Sequence, residues 1–256
     1  MYSLKNKNIL ISGIGKGLGK EMMIQCIKNG AKVYGFTRSK NDLKEIKFRY
    51  GNKAKFFHGD VNDKKFLKKL FNFFKNNKII LDGLINNAGI RQRKEFISIT
   101  HRDLRNVIET NFISLFFLTQ SFIKQASKKN LGSIVNIGSI VGDRGFEELT
   151  GYASSKSAVF GLTKSLALEL ANKKYNIRVN CINPGFTKTS FYEKFKKNKA
   201  LYKWTLKNIP AKRWGNSEEI SKLAIFLLSN TSSYITGQTI NIDGGWTSWE
   251  KKEYLH

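Results

Sequence analysis

The sequence predicts one doubly wound α/β domain over residues 1–256, with a parallel sheet between two layers of helices. Two observations support this fold class. Short runs of β-branched residues alternate with amphipathic stretches, and no repeat, low-complexity tract or Gly/Ser linker interrupts the 256 residues. Strands that alternate with helices of this length imply right-handed crossovers between parallel strands.

The predicted elements alternate as strand and helix almost to the end of the chain. The seven strands are the apolar runs Asn8–Ser12, Lys32–Thr37, Lys55–His58, Leu81–Asn86, Ser133–Gly138, Ile177–Ile182 and Thr239–Ile242. Between them, helical periodicity predicts helices over Leu18–Asn29, Asn41–Arg49, Asp63–Asn76, Arg102–Lys128, Tyr152–Lys173 and Ser217–Leu228. The segment Lys188–Gly215 contains no clean strand, and we expect it to be an insertion that covers a substrate.

The strong positive charge does not by itself indicate a nucleic-acid partner. The chain has 45 Lys and Arg against 19 Asp and Glu, a formal net charge of +26. These cations are spread along the chain as isolated pairs, such as Lys128-Lys129, Lys173-Lys174 and Lys196-Lys197, mostly at predicted helix ends, where the helix dipole favours them. We therefore interpret the surplus as compositional bias and expect no nucleic-acid partner.

Composition also limits the cellular setting. Cys26 and Cys181 lie in apolar segments without a CxxC motif or a Cys/His cluster, so neither a disulfide scaffold nor a metal site is expected. No run of about 18 apolar residues is present, and the N-terminal residues lack the cleavage site of a signal peptide. We expect a cytoplasmic protein without a membrane partner.

Ligands of such sheets bind beyond the carboxyl ends of the strands, so the residues there are the candidates for chemistry. The first strand ends in Ser12-Gly13-Ile14-Gly15-Lys16-Gly17-Leu18-Gly19, directly before a helix. Glycines permit a tight turn, and the helix N-terminus offers amide groups to a pyrophosphate. An ordinary strand-to-helix turn can have the same glycine pattern. Asn86-Asn87-Ala88-Gly89 follows the fourth strand and either admits a flat ring or is a polar turn.

A second group of polar residues follows the fifth strand. Ser139 comes directly after it, and Tyr152 opens the next helix four residues before Lys156. Residues four apart share one helix face, so the ammonium group can stabilise a phenolate and make proton exchange feasible. Taken alone, the pair could equally be an exposed helical pair.

Together these signals resemble the short-chain dehydrogenase/reductase family over nearly the whole chain. The ordered set is Ser-Gly-x-x-x-Gly-Leu-Gly from Ser12, Asn-Asn-Ala-Gly, Asn111, Ser139, Tyr152-x-x-x-Lys156 and Pro184-Gly185. The leading Ser12 stands where Thr is usual. The resemblance implies one Rossmann-type domain, strand order 3-2-1-4-5-6-7, and an NAD(P)-dependent enzyme that moves hydride between the cofactor and a ketone or secondary alcohol.

The resemblance also implies roles for individual residues. Tyr152 would act as general acid or base, Ser139 would bind the carbonyl oxygen, Lys156 would hold the nicotinamide ribose, and Asn111 would anchor a water. Tyr152 and Lys156 would also contact the cofactor. The other residues that would contact its pyrophosphate, adenine, ribose or nicotinamide are Ser12, Gly13, Gly15, Lys16, Gly17, Leu18, Gly19, Thr37, Arg38, Asp60, Val61, Asn87, Ala88, Gly89, Pro184, Gly185, Thr187 and Thr189.

The end of the second strand favours NADP(H) over NAD(H). An NAD enzyme usually has an acid there that binds the ribose 2′-hydroxyl, whereas this chain has Thr37 followed by Arg38. Arg38 and Lys16 could pair with a 2′-phosphate. NAD(H) stays a second candidate, because cations at this site can also stack on adenine.

The substrate is less well defined by the sequence. Ile90-Arg91-Gln92-Arg93, Ile209–Gly215 and Asp243–Trp246 are similar to dehydrogenases of gluconate or deoxygluconate. Arg91, Arg93 and Arg144, with lysines of the insertion, could form a positive mouth for a small anionic substrate, and Arg91, Ser139 and Arg144 are the candidate contacts. The alternatives are surplus surface charge, a 3-oxoacyl-carrier-protein reductase, or a redox-inactive nucleotide-binding interaction module.

Two further expectations concern assembly and motion. The resemblance implies a homotetramer built on apolar residues of long helices, represented here by Phe112, Leu115, Phe116, Val159, Leu162, Leu166, Leu223, Phe226 and Leu227. The segment Lys188–Gly215 has eight lysines and the aromatic residues Phe191, Tyr192, Phe195, Tyr202 and Trp204. Mutual repulsion of the lysines predicts a lid that orders over an anionic ligand.

Overall fold

The computed structural model describes residues 2–126, 131–189 and 192–248. Its central sheet has seven strands: β1 Asn8–Ser12, β2 Lys32–Thr37, β3 Ala54–His58, β4 Gly83–Asn86, β5 Gly132–Ile137, β6 Ile177–Pro184 and β7 Thr239–Ile242. The helices are α1 Gly17–Lys28, α2 Lys40–Tyr50, α3 Lys64–Asn76, α4 His101–Ile108, α5 Ser114–Gln125, α6 Thr150–Asn172, α7 Tyr192–Lys197, α8 Lys199–Asn208 and α9 Ser217–Leu228.

The seven strands are all parallel and lie in the order β3-β2-β1-β4-β5-β6-β7. This confirms the predicted doubly wound sheet and its order. The chain reverses direction across the sheet between β1 and β4, which creates the crevice where such folds bind ligands. Leu81 and Asp82 were predicted as strand but precede β4; the Asp82 carboxylate accepts a hydrogen bond from the Asn8 amide at 2.7 Å, and the Asp82 backbone bonds to Asn8 and Ser133.

Two apolar clusters cover the two faces of the sheet. Met22 and Met23 of α1 and Leu227 of α9 pack on one face, and Phe74 of α3 and Phe122 of α5 pack on the other. Burial raises the pKa of the Cys26 thiol, and it raises the pKa of Cys181 to about 12. Both cysteines are therefore neutral residues of the apolar interior.

The predicted helix Arg102–Lys128 is wrong as a single α-helix. A π-helical turn, Glu109–Ile113, separates α4 from α5, and Lys128 lies outside the described residues. The π-turn is centred on Asn111, whose side chain bonds to the backbone of Ile90 on a neighbouring loop. This tertiary contact accounts for the extra residue in the turn, a device frequent at functional sites.

The segment Lys188–Gly215 is helical, which the sequence did not predict. It contains α7 and α8 between two short parallel strands, Thr187–Lys188 and Gly215–Asn216, which pair at its base. Phe195 and Trp214 pack inside it, while Phe191 and the Lys194 side chain lie outside what the structure describes. Within the described ranges, no helix combines the length and apolar character that crossing a membrane requires.

Candidate active site

The loops after β1 and β4 are locked together at the crevice. The Ser12 hydroxyl accepts hydrogen bonds from the amides of Asn87 and Ala88, both at 3.0 Å, and the Asn87 side chain donates to the Gly13 carbonyl at 2.9 Å. Gly13 has φ of +72°, and a Cβ there would lie 2.9 Å from the Ala88 Cα. Only glycine fits this position, because any side chain would push the two loops apart.

The N-terminus of α1 can receive an anion. Lys16 precedes the helix in an extended conformation, its side chain does not cap it, and the first turn holds no acidic residue. The first amides of a helix lack internal partners and carry partial positive charge. The glycine loop thus leaves its amides available to an acceptor such as the predicted pyrophosphate.

Lys156 lies buried beneath Tyr152 on the first turns of α6. Its side chain is 5% exposed, and Nζ donates a 2.7 Å hydrogen bond to the Ile137 carbonyl at the end of β5. Nζ also lies 5.8 Å from the centre of the Tyr152 ring. A buried ammonium needs such an acceptor, and this contact fixes its position beside the phenol.

Asn111 connects the π-turn to two other parts of the site. Its amide nitrogen donates to the Ile90 carbonyl at 2.9 Å and to the Ser155 hydroxyl at 3.0 Å, and its oxygen accepts from the Ile90 amide at 2.8 Å. A Cβ on Gly89 would lie 3.2 Å from the Asn111 oxygen and 3.7 Å from Lys156 Nζ. Asn111 and Lys156 therefore border the same point of the loop.

Three of the four predicted catalytic residues, Ser139, Tyr152 and Lys156, line one cleft, whereas the fourth, Asn111, is fully buried and does not line it. The volume of the cleft is about 930 Å³, and Ser139, Tyr152 and Lys156 line it together with the predicted nicotinamide contacts Pro184, Gly185, Thr187 and Thr189. The Ser139 hydroxyl accepts a 3.2 Å hydrogen bond from the Val141 amide, which holds it at the end of β5. Leu18, Asn87 and Gly89 line the same cleft.

The predicted cationic mouth is only partly present. Arg91, Arg93 and Arg144 all line the cleft, but Arg93 is paired with Glu148, a partner that the sequence did not indicate. Partial burial lowers the pKa of the Arg91 guanidinium, and nearby Tyr152 raises it. Arg91 and Arg144 are therefore the candidates for holding a substrate anion.

At the predicted adenosine end, the structure places the carboxylate of Asp42, which the sequence did not indicate. The Arg38 guanidinium is exposed and lies 4.0 Å from the Asp60 carboxylate, while Thr37 is buried. A Cβ on Gly15 would lie 2.6 Å from the Asp42 carboxylate and 2.8 Å from the Thr37 hydroxyl. Ser39 is the N-cap of α2, and its hydroxyl accepts a hydrogen bond from the Asp42 amide at 3.2 Å. Asp42 therefore lies in the first turn of α2.

Aromatic residues form a large part of the cleft wall; the sequence indicated Phe195 and Trp204 of the insertion, but not Phe146 and Phe186. Those lining it come from four separate segments and are Phe146, Phe186, Phe195, Trp204, Trp214 and Trp246. Within the ranges that the structure covers, no cluster of His, Cys, Asp and Glu could hold a metal ion. The cleft thus combines a Ser-Tyr-Lys set, two arginines and an aromatic lining.

This fold and site define the short-chain dehydrogenase/reductase class of oxidoreductases, which act on CH–OH and keto groups. The chain belongs to this family: residues 13–247 match its model described as enoyl-(acyl carrier protein) reductase. A 3-oxoacyl-(acyl-carrier-protein) reductase FabG from Buchnera aphidicola subsp. Schizaphis graminum is 39% identical over 243 residues, covering 94% of this chain and 98% of the relative.

Solved structures of sugar-acid dehydrogenases are similar as well. A gluconate 5-dehydrogenase from Burkholderia cenocepacia, in complex with NADP and tartrate, has a TM-score of 0.90 at 28% identity and covers 97% of this chain and 98% of its own. A protein from Agrobacterium tumefaciens described as a 2-deoxy-D-gluconate 3-dehydrogenase, with bound NADP, has a TM-score of 0.86 at 34% identity, with coverage of 96% and 98%. Both branches suggested by the sequence are thus represented among the chain's relatives.

Proposed function

We propose that the protein is an NADP(H)-dependent oxidoreductase that interconverts a ketone and a secondary alcohol on a small anionic, sugar-like acid. The observation that carries this proposal is the buried Lys156 beneath Tyr152, in a cleft that also holds Ser139 and the cations Arg91 and Arg144. The cofactor, when bound, supplies or accepts the hydride at the substrate carbon. The chain supplies the proton, the orientation and the charge.

Each polar residue then has a separate task in the proposed mechanism. The Tyr152 hydroxyl gives its proton to the substrate oxygen during reduction and takes it back during oxidation. The Ser139 hydroxyl donates a hydrogen bond that orients the same oxygen. Lys156, held by the Ile137 carbonyl, stabilises the phenolate and contacts the nicotinamide ribose.

Asn111 acts through its neighbours as a positioning residue. Its three hydrogen bonds fix the loop carrying Gly89 and Ile90 and the α6 turn carrying Ser155. A water held beside this loop would link Lys156 to solvent and return the proton. In this proposal the π-turn keeps this proton route open, because in a regular helix the side-chain amide of Asn111 would lie away from Ile90.

The residues of the crevice fit a dinucleotide. The available amides of α1 suit a pyrophosphate, and Arg38 and Lys16 suit a 2′-phosphate, which supports NADP(H). NAD(H) is the second candidate, because Asp42 places a carboxylate beside Gly15 and Thr37. A carboxylate there repels a phosphate and can accept a hydrogen bond from a ribose hydroxyl.

A 3-oxoacyl-carrier-protein reductase is the second candidate function. The relatives named FabG favour it, since they match nearly the full chain at up to 39% identity. The aromatic lining favours it as well, because an apolar wall can receive an acyl chain. The two arginines and the NADP-bound sugar-acid dehydrogenase structures favour the anionic sugar.

We further propose that Lys188–Gly215 closes over the cleft as a lid. The paired strands at its base form a hinge, supported by the Ser217 hydroxyl donating to the Lys188 carbonyl at 2.8 Å. Lys188 and Lys196 lie 5.9 and 5.8 Å from the Tyr192 ring, so part of the lid charge is already close to an aromatic face. An anion in the cleft would relieve the remaining repulsion.

A homotetramer is the proposed assembly. Leu104, Phe116 and Phe117 of α4 and α5 are 41%, 39% and 46% exposed, an apolar patch that a helix pairing would cover. Leu115, Val159 and Leu227, which the sequence placed among the interface residues, are buried in the core. Light scattering at micromolar concentration should give four times the chain mass, and a monomer would refute the proposal.

The proposed function is tested by NADPH oxidation against a small panel. The panel holds keto-sugar acids and a 3-oxoacyl thioester, each assayed with NADPH and with NADH. Turnover of a keto acid with NADPH supports the main proposal, and turnover of the thioester alone supports the second. No oxidation with any compound would indicate a redox-inactive nucleotide-binding module.

A further inference from the structure

The aromatic residues of the cleft form two neighbouring groups, one inside the lid and one at the cleft surface. The interior of the lid is a closed cluster in which Trp214 packs 5.0 Å from Phe195 and 5.1 Å from Tyr192 and donates from its indole nitrogen to Thr205 at 2.8 Å. These rings hold the lid together. Phe146, Trp204 and Trp246, which we call the aromatic wall, come from three segments and meet at the cleft surface.

The aromatic wall is fixed at its back and open at its front. Trp246 is 8% exposed and stacks on Phe146 at 5.9 Å with planes 19° apart. Trp204 on α8 meets Trp246 edge-to-face at 5.5 Å and is 47% exposed. A large indole surface in a concave site stays in water until a ligand covers it, so it is free to contribute binding energy.

The aromatic wall shares the cleft with the exposed residue Arg91, which lines it together with Tyr152. The cation places an anionic group close to the reacting oxygen. The rings require an apolar face on the rest of the ligand, because aromatic faces attract polarised C–H groups and exclude hydroxyls. An open-chain sugar acid has hydroxyls on all sides, whereas a pyranose ring presents a flat C–H face.

We propose that the preferred substrate of the cleft is a carboxylated pyranose, which lays its C–H face on the exposed indole of Trp204 and directs its carboxylate to Arg91. This inference rests on the proposed function and narrows it from anionic sugars in general to cyclic ones.

The test compares three probes as ligands of the NADP⁺ complex by calorimetry and as substrates by NADP⁺ reduction. Methyl α-D-glucopyranosiduronate has a locked ring and a carboxylate, D-gluconate has the carboxylate without the ring, and methyl α-D-glucopyranoside has the ring without the carboxylate. We expect the wild type to bind the first at least tenfold more tightly than either of the others.

Trp204 is the position to vary, because it is 47% exposed, whereas Trp214 and Trp246 are buried. Trp204→Phe keeps an aromatic face and should weaken the glucopyranosiduronate less than threefold. Trp204→Leu keeps apolar volume without the face and should weaken it at least tenfold, with gluconate changed less than twofold. Phe48→Leu, the same kind of change at an aromatic residue of α2 that is 91% exposed and does not line the cleft, is the matched control and should change neither.

Each result decides between the proposals. Equal or tighter binding of gluconate in the wild type, or an equal loss of both acids in Trp204→Leu, overturns the ring proposal and leaves the sugar-acid function standing. Failure of both acids to bind, with a 3-oxoacyl thioester reduced equally by wild type and Trp204→Leu, overturns the sugar-acid function itself. An alkyl chain would find leucine as good a surface as tryptophan.

Discussion

Replacing Asn111 by alanine tests whether the π-turn is held by the contact with Ile90. The substitution removes three hydrogen bonds, of 2.8, 2.9 and 3.0 Å, from a side chain that is 0% exposed. It leaves the amide and carbonyl of Ile90 without these partners. With about 1 kcal/mol for each lost bond, the free energy of unfolding should fall by about 3 kcal/mol.

For a chain of this size, about 3 kcal/mol corresponds to a fall in Tm of roughly 6–12 °C. Differential scanning calorimetry measures this change. Asn106→Ala is the control, since Asn106 is exposed on α4 one turn earlier and its loss should stay within about 0.5 kcal/mol. Hydrogen exchange at the Ile90 amide gives a local readout and should accelerate at least tenfold, about 1.4 kcal/mol.

The reasoning fails if Asn111→Ala melts together with Asn106→Ala and the Ile90 amide stays protected. In that case the π-turn would be set by the packing of α4 and α5, and the contact with Ile90 would be its consequence. A lower Tm with unchanged hydrogen exchange at Ile90 would also contradict the reasoning, because the lost stability would then not come from the loop that carries Ile90.

Three other predictions concern the proton, the cofactor and the lid hinge. Tyr152→Phe should leave the fluorescence-measured Kd for NADPH within about twofold and lower kcat by about 10²–10⁴, since only the transferable proton is lost; wild-type turnover would contradict the mechanism. Arg38→Asp should reverse the preference in kcat/KM from NADPH to NADH, and Asp42→Asn should tighten NADPH binding; an unchanged cofactor ratio in both variants would remove these residues from the 2′-phosphate site. The Arg213 guanidinium and a backbone amide lower the pKa of Glu219 from 4.5 to about 2, so this stabilisation is complete above pH 4.5 and is lost as pH falls towards 2. The Tm of Glu219→Gln should therefore lie below that of wild type at pH 7 and converge with it between pH 4.5 and 2; a gap that persists at pH 2 would exclude the ion pair as its cause.

The sheet could be predicted because its determinants are local and periodic. The inner strands are apolar runs buried on both faces, the edge strands β3 and β7 are partly buried, and each crossover helix repeats apolar residues at helical spacing. The predicted strand bounds differ from the observed ones by at most two residues, as at β4, which begins at Gly83 and not at Leu81, and at β6, which continues to Pro184. The motif residues are local in the same sense, because they directly follow strands whose ends share one edge of the sheet.

The features missed by sequence reasoning all depend on contacts between distant segments. In the π-turn Asn111 bonds to Ile90, and Arg93 forms an ion pair with Glu148 from the loop before α6. Asp42 lies beside Gly15 in the first turn of α2, where its amide donates a hydrogen bond to the N-cap Ser39. No spacing rule along the chain brings these pairs together.

The two ends of the cleft are held by different means, and this explains why the class of reaction is better defined than the substrate. At the chemical end, Lys156 bonds to the backbone of β5, and Asn111 bonds to the backbone of the β4 loop, so the sheet itself fixes the geometry. At the far end, the walls are aromatic side chains contributed by the lid and by the loop after β7. Packing among rings tolerates exchange of one apolar residue for another, whereas a buried hydrogen-bonded ammonium does not. Substitution of the aromatic wall can thus change the substrate without changing the reaction, so the indole of Trp204 is where the identity of the substrate should be sought.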